Sequence, residues 1–177
     1  MGWSRHHKNG LIHNSPQRSW PGYTLTATRG GNYANLLDMQ GQVCHRWYSA
    51  EQINYGFLLP NGNLLARTGS APEGQGMGGS AKSLIELDWD GNVVWGYKNP
   101  LLHHDFHRTE SGSTIALVWE LLPQELADSV GGGFLDDGVG PGMFGDNVIE
   151  VSQDGKTMNT WHTWEHLDPA LDVICPL

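Results

Sequence analysis

The chain has 177 residues, 38% of them hydrophobic and 16% charged, with 24 glycines, eight tryptophans and a formal net charge of −9. The length suits one domain or part of a larger one, and the sparse charge with abundant glycine argues against a helical bundle and against charge-rich disorder. The negative charge argues against a protein that neutralises nucleic-acid phosphates, and no run of about 20 apolar residues is present to cross a bilayer, so neither nucleic acid nor membrane is an expected partner.

The first residues, MGWSRHHKNGLIHN, are basic but lack the apolar stretch of a secretory signal. A cytoplasmic setting is expected on that ground, or a periplasmic one if the natural start differs. Arg5, His6, His7 and His13 precede the regular part of the chain and read as solvated. From Pro21 onward two kinds of marker alternate. One kind is LLDMQGQVCHRW (Leu36–Trp47), IELDWDGNVVW (Ile85–Trp95) and IEVSQDGKTMNTW (Ile149–Trp161): an apolar strand, a turn ending in Gly41, Gly91 or Gly155, and a strand ending in Trp. The other is PGYTL (Pro21–Leu25), NGNLL (Asn61–Leu65) and SGSTI (Ser111–Ile115), around Gly22, Gly62 and Gly112. Gly41 to Gly91 and Gly62 to Gly112 are both 50 residues. Cys44 and Cys175 are too few and too far apart for a disulfide framework.

Each marker reads as a hairpin, because Asn-Gly and Asp-Gly suit the two positive-φ positions of a type I′ turn. Two hairpins per repeat make four strands. In the second repeat they fall near Ile53–Leu59, Asn63–Thr68, Ser83–Asp88 and Asn92–Tyr97. In the third they fall near Leu102–Thr109, Ser113–Trp119, Asn147–Ser152 and Lys156–Trp161. Tandem four-stranded antiparallel units of this length predict an all-β fold, a β-propeller, with the strand-closing tryptophans as core aromatics between blades. Blade 1 spans about residues 11–48, blade 2 about 53–97 and blade 3 about 102–162, and residues 163–177 lead toward a further blade. The 177 residues thus read as one partial domain of about three blades, too few to close a ring of roughly 4–8.

In a propeller, the connections between second and third strands and those between successive blades share one face. Here that face carries both long insertions, Gly69–Ala81 and Leu121–Asp146, and the stretch around His103. The second insertion includes PQELADSV, which predicts a helical turn or two, and the glycine-rich GGGFLDDGVGPGMFGD, which reads either as a lid over the channel mouth or as a tolerated surface loop. Asp136, Asp137 and Asp146 are oxygen donors of the type Ca²⁺ takes, but DDGVGPGMFGD lacks EF-hand spacing.

Leu102–Arg108 is the densest point of acid–base chemistry, with three histidines, a carboxylate and a guanidinium in seven residues. A 50-residue alignment sets His103, Asp105 and His107 against Ile53, Tyr55 and Phe57. Ionisable groups thus replace apolar ones on an inner strand, and burying them has a cost unless they are paired. Three readings stay open. One is a nucleophilic or acid–base site, in which Asp105 orients an imidazole and Arg108 clamps an anion. Another is a metal site using His103, Asp105 and His107 on one side of the strand, since the adjacent His103 and His104 should point to opposite faces. The third is a structural polar network. His162 and His166, in WHTWEHLDP, are secondary candidates on the same face.

In LLPNGNLL (Leu58–Leu65), ELDWDGNVVW (Glu86–Trp95) and LHHDFHR followed by SGSTI, the chain resembles the bacterial arylsulfotransferase family, over a span from about Gly22 to His166. The resemblance implies a six-bladed propeller that moves a sulfuryl group from an aryl sulfate to a phenol through a transiently sulfated histidine. It implies His104, with His103 beside it, as catalytic histidines. It also implies Arg108, His107, Asp105 and His166 as groups that hold the substrate. It calls for no cofactor and no metal, and its partners are small molecules, an aryl sulfate and a phenol. The isolated 177 residues are expected to be inactive. A non-catalytic propeller that binds small anions or a protein partner through the same face is the competing expectation.

Overall fold

The computed structural model describes residues 11–69, 78–130, 143–168 and 171. Arg5, His6, His7, Asp136, Asp137, Cys175 and the glycine-rich loop between Val130 and Met143 lie outside the described residues. The fold is all-β, with three antiparallel sheets. The first holds β1 (Thr24–Ala27), β2 (Tyr33–Leu37) and β3 (Val43–Tyr48), in that order. The second holds β4 (Tyr55–Leu58), β5 (Leu64–Thr68), β6 (Ser83–Leu87) and β7 (Val93–Lys98), also in chain order. The third holds β8 (Leu102–Arg108), β9 (Thr114–Leu121), β10 (Phe144–Val151) and β11 (Thr157–His162), each strand beside the next. Between β9 and β10 the expected helical turns form as α1 (Gln124–Ser129), and a 3-10 turn, Thr163–His166, follows β11. No helix among the described residues is long and apolar enough to cross a membrane.

The repeat glycines lie where their spacing put them, but the turns are of a different kind. Gly41, Gly62, Gly91, Gly112 and Gly155 have φ between 75° and 87°, while the residues before them keep negative φ. In each turn the glycine N–H bonds the carbonyl three residues back, as in Gly91 to Asp88 at 3.1 Å. The first turn residue bonds across to the residue after the glycine, as in Asp88 to Asn92 at 2.9 Å. That is a type I turn closed by a left-handed glycine, a three-residue loop with a G1 bulge, and not the expected type I′ turn. Side chains favour this form: Asp38 Oδ1 accepts from the N–H groups of Gln40 and Gln42, and Asp88 Oδ1 from that of Asn92.

A second correction concerns the first sheet, which has three strands where four were expected. No strand precedes Thr24 among the described residues. The chain upstream closes a local turn instead, with Ser15 O accepting from Arg18 N and Ser19 N. Pro16 inside that turn has no N–H to give to a ladder.

Two compact units make up the chain: residues 1–69 with 84–94, and residues 70–83 with 95–177. The core of the first is Ala34, Leu36, Trp47, Ile53, Leu64, Ala66 and Leu87. Trp47 is fully buried, and its indole N–H donates to Asp88 O at 2.9 Å. Buried side chains of the second include Leu102, Phe106, Ala116, Val118, Ile149 and Val151. Phe106, Ala116 and Ile149 form one cross-strand row. Trp95 is half-buried there and donates to Ser152 O at 3.3 Å, so it repeats the contact of Trp47 at the equivalent turn residue. Trp161 departs from the expectation of a core aromatic. It is 45% exposed and stacks on His166 with ring centroids 4.6 Å apart.

Candidate functional site

One end of the third sheet gathers the polar side chains. There β8 begins, β9 ends, β10 begins and β11 ends. The register pairs Trp119 with Asp146 and, one step on, Val118 with Asn147, which also pairs with His162. Paired residues share a face and successive rows alternate. Trp119 and Asp146 therefore lie on one face of the sheet, and Glu120, Asn147 and His162 on the other.

On the first face, His103 is 3% exposed and stacks on Trp119 at 4.5 Å with an interplanar angle of 16°. Its Nε2 lies 3.3 Å from Asp146 Oδ1, at ion-pair distance, and its Nδ1 lies 3.1 Å from Nδ1 of His104. Strand alternation predicts that adjacent histidines diverge, and the structure overturns that expectation. His103 pairs with Leu117 and Phe106 with Ala116, so two residues of β8, His104 and Asp105, are looped out against none on β9. His104 takes φ of +43°, a left-handed conformation that costs about 1 kcal/mol or more for a residue with a Cβ. This turns its ring back beside that of His103. The His104 N–H donates to Gly79 O at 2.9 Å, and a Cβ on Gly79 would sit 2.6 Å from the His104 ring. Gly79 is thus a seat that only glycine provides, and its own φ of +76° suits glycine as well.

The same bulge takes Asp105 out of the expected shared side, whereas His103, opposite Leu117, and His107, opposite Ile115, keep one face of the ladder. His103 is buried, whereas Asp105 and His107 are exposed, with buried Phe106 between them. Asp105 Oδ1 accepts from Phe106 N at 2.9 Å. Tyr55 pairs with Arg67, 50 residues before Leu117, so His103 rather than Asp105 stands at the position equivalent to Tyr55. Arg108 sits at the far end of β8. Its guanidinium lies over the Trp95 ring at 4.4 Å and donates to Gly112 O at 3.0 Å. The two catalytic candidates, His103 and His104, are therefore brought together. Arg108 and Asp105 are engaged elsewhere, and His166 is occupied with Trp161.

On the second face, one oxygen of Glu120 collects three N–H donors: His162 Nδ1 at 2.7 Å, Asn147 Nδ2 at 2.8 Å and Trp164 Nε1 at 2.9 Å. Partial burial pushes the Glu120 carboxyl up. The three hydrogen bonds, with the charge of His162, outweigh that and hold it below the ordinary glutamate range. Trp164 is thereby fixed as one wall of an apolar cleft of about 190 Å³, lined also by Leu122, Leu126, Val130, Phe144 and Leu167.

Glu120, Asn147, Trp164, Trp119 and Gly79 were not foreseen. Glu120 did carry a signal, a carboxylate interrupting the apolar run IALVWELL. Asp146 was weighed only as an oxygen donor for Ca²⁺. Among the described residues no group of three or more His, Cys, Asp or Glu is arranged to hold a metal ion.

No protein-family profile matches the chain, and no curated protein matches it. Among solved structures it is similar to a protein of unknown function from Bacteroides caccae, with 14% identity and a TM-score of 0.41 over 80% of this chain. The chain spans about half of that protein, 46% of its length.

Proposed function

We propose that the chain supplies three blades of a six-bladed propeller of the arylsulfotransferase kind. In this reading, the end of its third sheet is one wall of a site that moves a sulfuryl group from an aryl sulfate to a phenol. The observation that carries the reading is the histidine pair: two imidazoles with Nδ1 atoms 3.1 Å apart, one buried against Trp119 and one exposed, held by a strained backbone. Backbone strain of this kind clusters at functional sites, which is why the pair motivates the reading. The repeated indole-to-carbonyl contact of Trp47 and Trp95 supports the propeller architecture, since each tryptophan reaches the equivalent turn of the following sheet.

Neutral imidazole is a competent nucleophile toward a sulfate monoester. The N–S bond forms as the aryl S–O bond breaks, and the aryl oxide leaves with the electron pair. A phenol then takes the sulfuryl group from nitrogen. The anionic oxygens call for cations. Arg108 is engaged elsewhere, and no Lys or Arg occurs between Arg108 and Lys156. The proposal therefore assigns the anion clamp to the remaining blades. That same absence favours the competing reading, a non-catalytic face that binds a partner. The two separate on 4-nitrophenyl sulfate with a phenol acceptor. The ring-complete protein should release 4-nitrophenolate and lose this on His104→Ala, and residues 1–177 alone should not turn over. No release from the ring-complete protein would leave the binding reading standing.

A further inference from the structure

We infer that the side of the third sheet that carries Trp161 is a docking surface for a further sheet of the same repeat, and that the Trp161 indole N–H seats that sheet by donating to the carbonyl that opens one of its turns. The inference rests on the propeller architecture proposed above and not on the sulfuryl chemistry. The first sheet shows what covers such a side. Ala27, Ala34 and Trp47 form one cross-strand row, and Leu25, Leu36 and His45 form the next row on the same side. Ala34, Leu36 and Trp47 are at most 6% exposed, because Leu64, Ala66 and Leu87 of the second sheet join them in one core. The Trp47 N–H then reaches the carbonyl of Asp88, which opens the turn closed by Gly91. A repeat of this kind cannot bury its apolar side alone and does so against its neighbour.

The third sheet has the same rows. Leu117, Val148 and Trp161 form one, and Ile115, Glu150 and Asn159 form the next on that side. Trp161 follows Gly155 by six residues, as Trp47 follows Gly41. Here the rows stay open: Trp161 is 45% exposed and Ile115 38%, and Leu117 and Val148 are half-buried. An open patch of one indole and three aliphatic side chains, at positions that the first sheet buries, marks an interaction surface. Its occupant is a following repeat, one of the remaining blades, and not a second copy of these residues. A second copy stacked in the same sense brings the opposite side of its first sheet, which presents Thr24, Thr26, Asn35 and Arg46 in place of the leucines and alanine of the second sheet. The row of Trp161 runs on through Val148 and Leu117 to His103, so the docked sheet borders the buried histidine of the pair.

The test reads the exposure of this one indole. With fluorotryptophan incorporated, Trp161→Phe and Trp47→Phe assign the ¹⁹F signals of the two residues, and the shift between H₂O and D₂O reports contact with solvent. In the 177-residue chain the Trp161 signal should show the solvent shift and the Trp47 signal should not. In the ring-complete protein the Trp161 signal should lose it. Trp161→Phe, which keeps a ring and removes the N–H, should lower the urea midpoint of the ring-complete protein and leave that of the 177-residue chain unchanged. A solvent shift retained by Trp161 in the ring-complete protein would overturn the inference. So would its loss in the 177-residue chain together with a dimeric mass, which would put a second copy on this surface. A shielded Trp161 with no sulfuryl transfer by the ring-complete protein would keep the docking surface and remove the transferase reading.

Discussion

The strands β4 and β8 open equivalent sheets and differ in one local event. Gly56 meets Ala66 and Phe106 meets Ala116, 50 residues apart in both partners, and toward Arg108 the two ladders stay in step. Going the other way, β4 pairs Tyr55 with Arg67 in regular order, whereas β8 loops out His104 and Asp105 before His103 meets Leu117. The regular strand carries an exposed Tyr55 and no ionisable cluster. The bulged one buries an imidazole, strains its neighbour and brings two rings into contact. Two extra residues in a ladder are enough to bring two imidazoles together where the regular strand has none.

The strongest way to break this comparison is to make β8 regular. Deleting His104 and Asp105 should let β8 pair as β4 does and lower sulfuryl transfer by the ring-complete protein by at least on the order of 10³-fold, as for loss of a nucleophile. Transfer that survives the deletion would detach the bulge from the chemistry. A smaller effect is expected at the seat of the ring. Gly79→Ala places a Cβ 2.6 Å from the His104 ring at a φ of +76°, and should lower unfolding stability in urea by about 1–2 kcal/mol. His104→Gly tests the strain itself. It removes the left-handed penalty and should raise stability by about 1 kcal/mol while abolishing transfer. A loss of stability would show that His104 is kept for packing.

The smallest effect belongs to the opposite face. Glu120 is held below its ordinary value of 4.5, so its contribution to stability is present above that pH and is lost as pH falls through the depressed folded value. Acid unfolding of Glu120→Gln should lack this part of the pH dependence, while the ¹⁵N signatures of His103 and His104 should stay as they are. A change in those signatures would mean that the two faces are coupled.

Much of the fold was legible because its punctuation is glycine. Gly41, Gly62, Gly91, Gly112 and Gly155 mark real turns, and the 50-residue spacing finds the strands of the second and third sheets to within a few residues. The turn type was misread, because an Asn-Gly or Asp-Gly pair serves a type I turn with a left-handed glycine as readily as a type I′ turn. The site was legible in its residues and hidden in its geometry. His103 and His104 stood out, but their meeting depends on a looped-out pair and a positive φ that no alternation rule anticipates. Asp146 reaches His103 only through the register of β8, β9 and β10, a relation among residues more than 40 apart in the chain.

The central claim is that the exposed imidazole of this pair carries the sulfuryl group. The most direct measurement is the mass of peptides from the ring-complete protein, quenched during turnover with an aryl sulfate and no acceptor. The account predicts a gain of one sulfuryl group on the peptide that holds His104, absent in His104→Ala and discharged when a phenol is added. A gain confined to another residue, or none at all while aryl oxide is released, would contradict it.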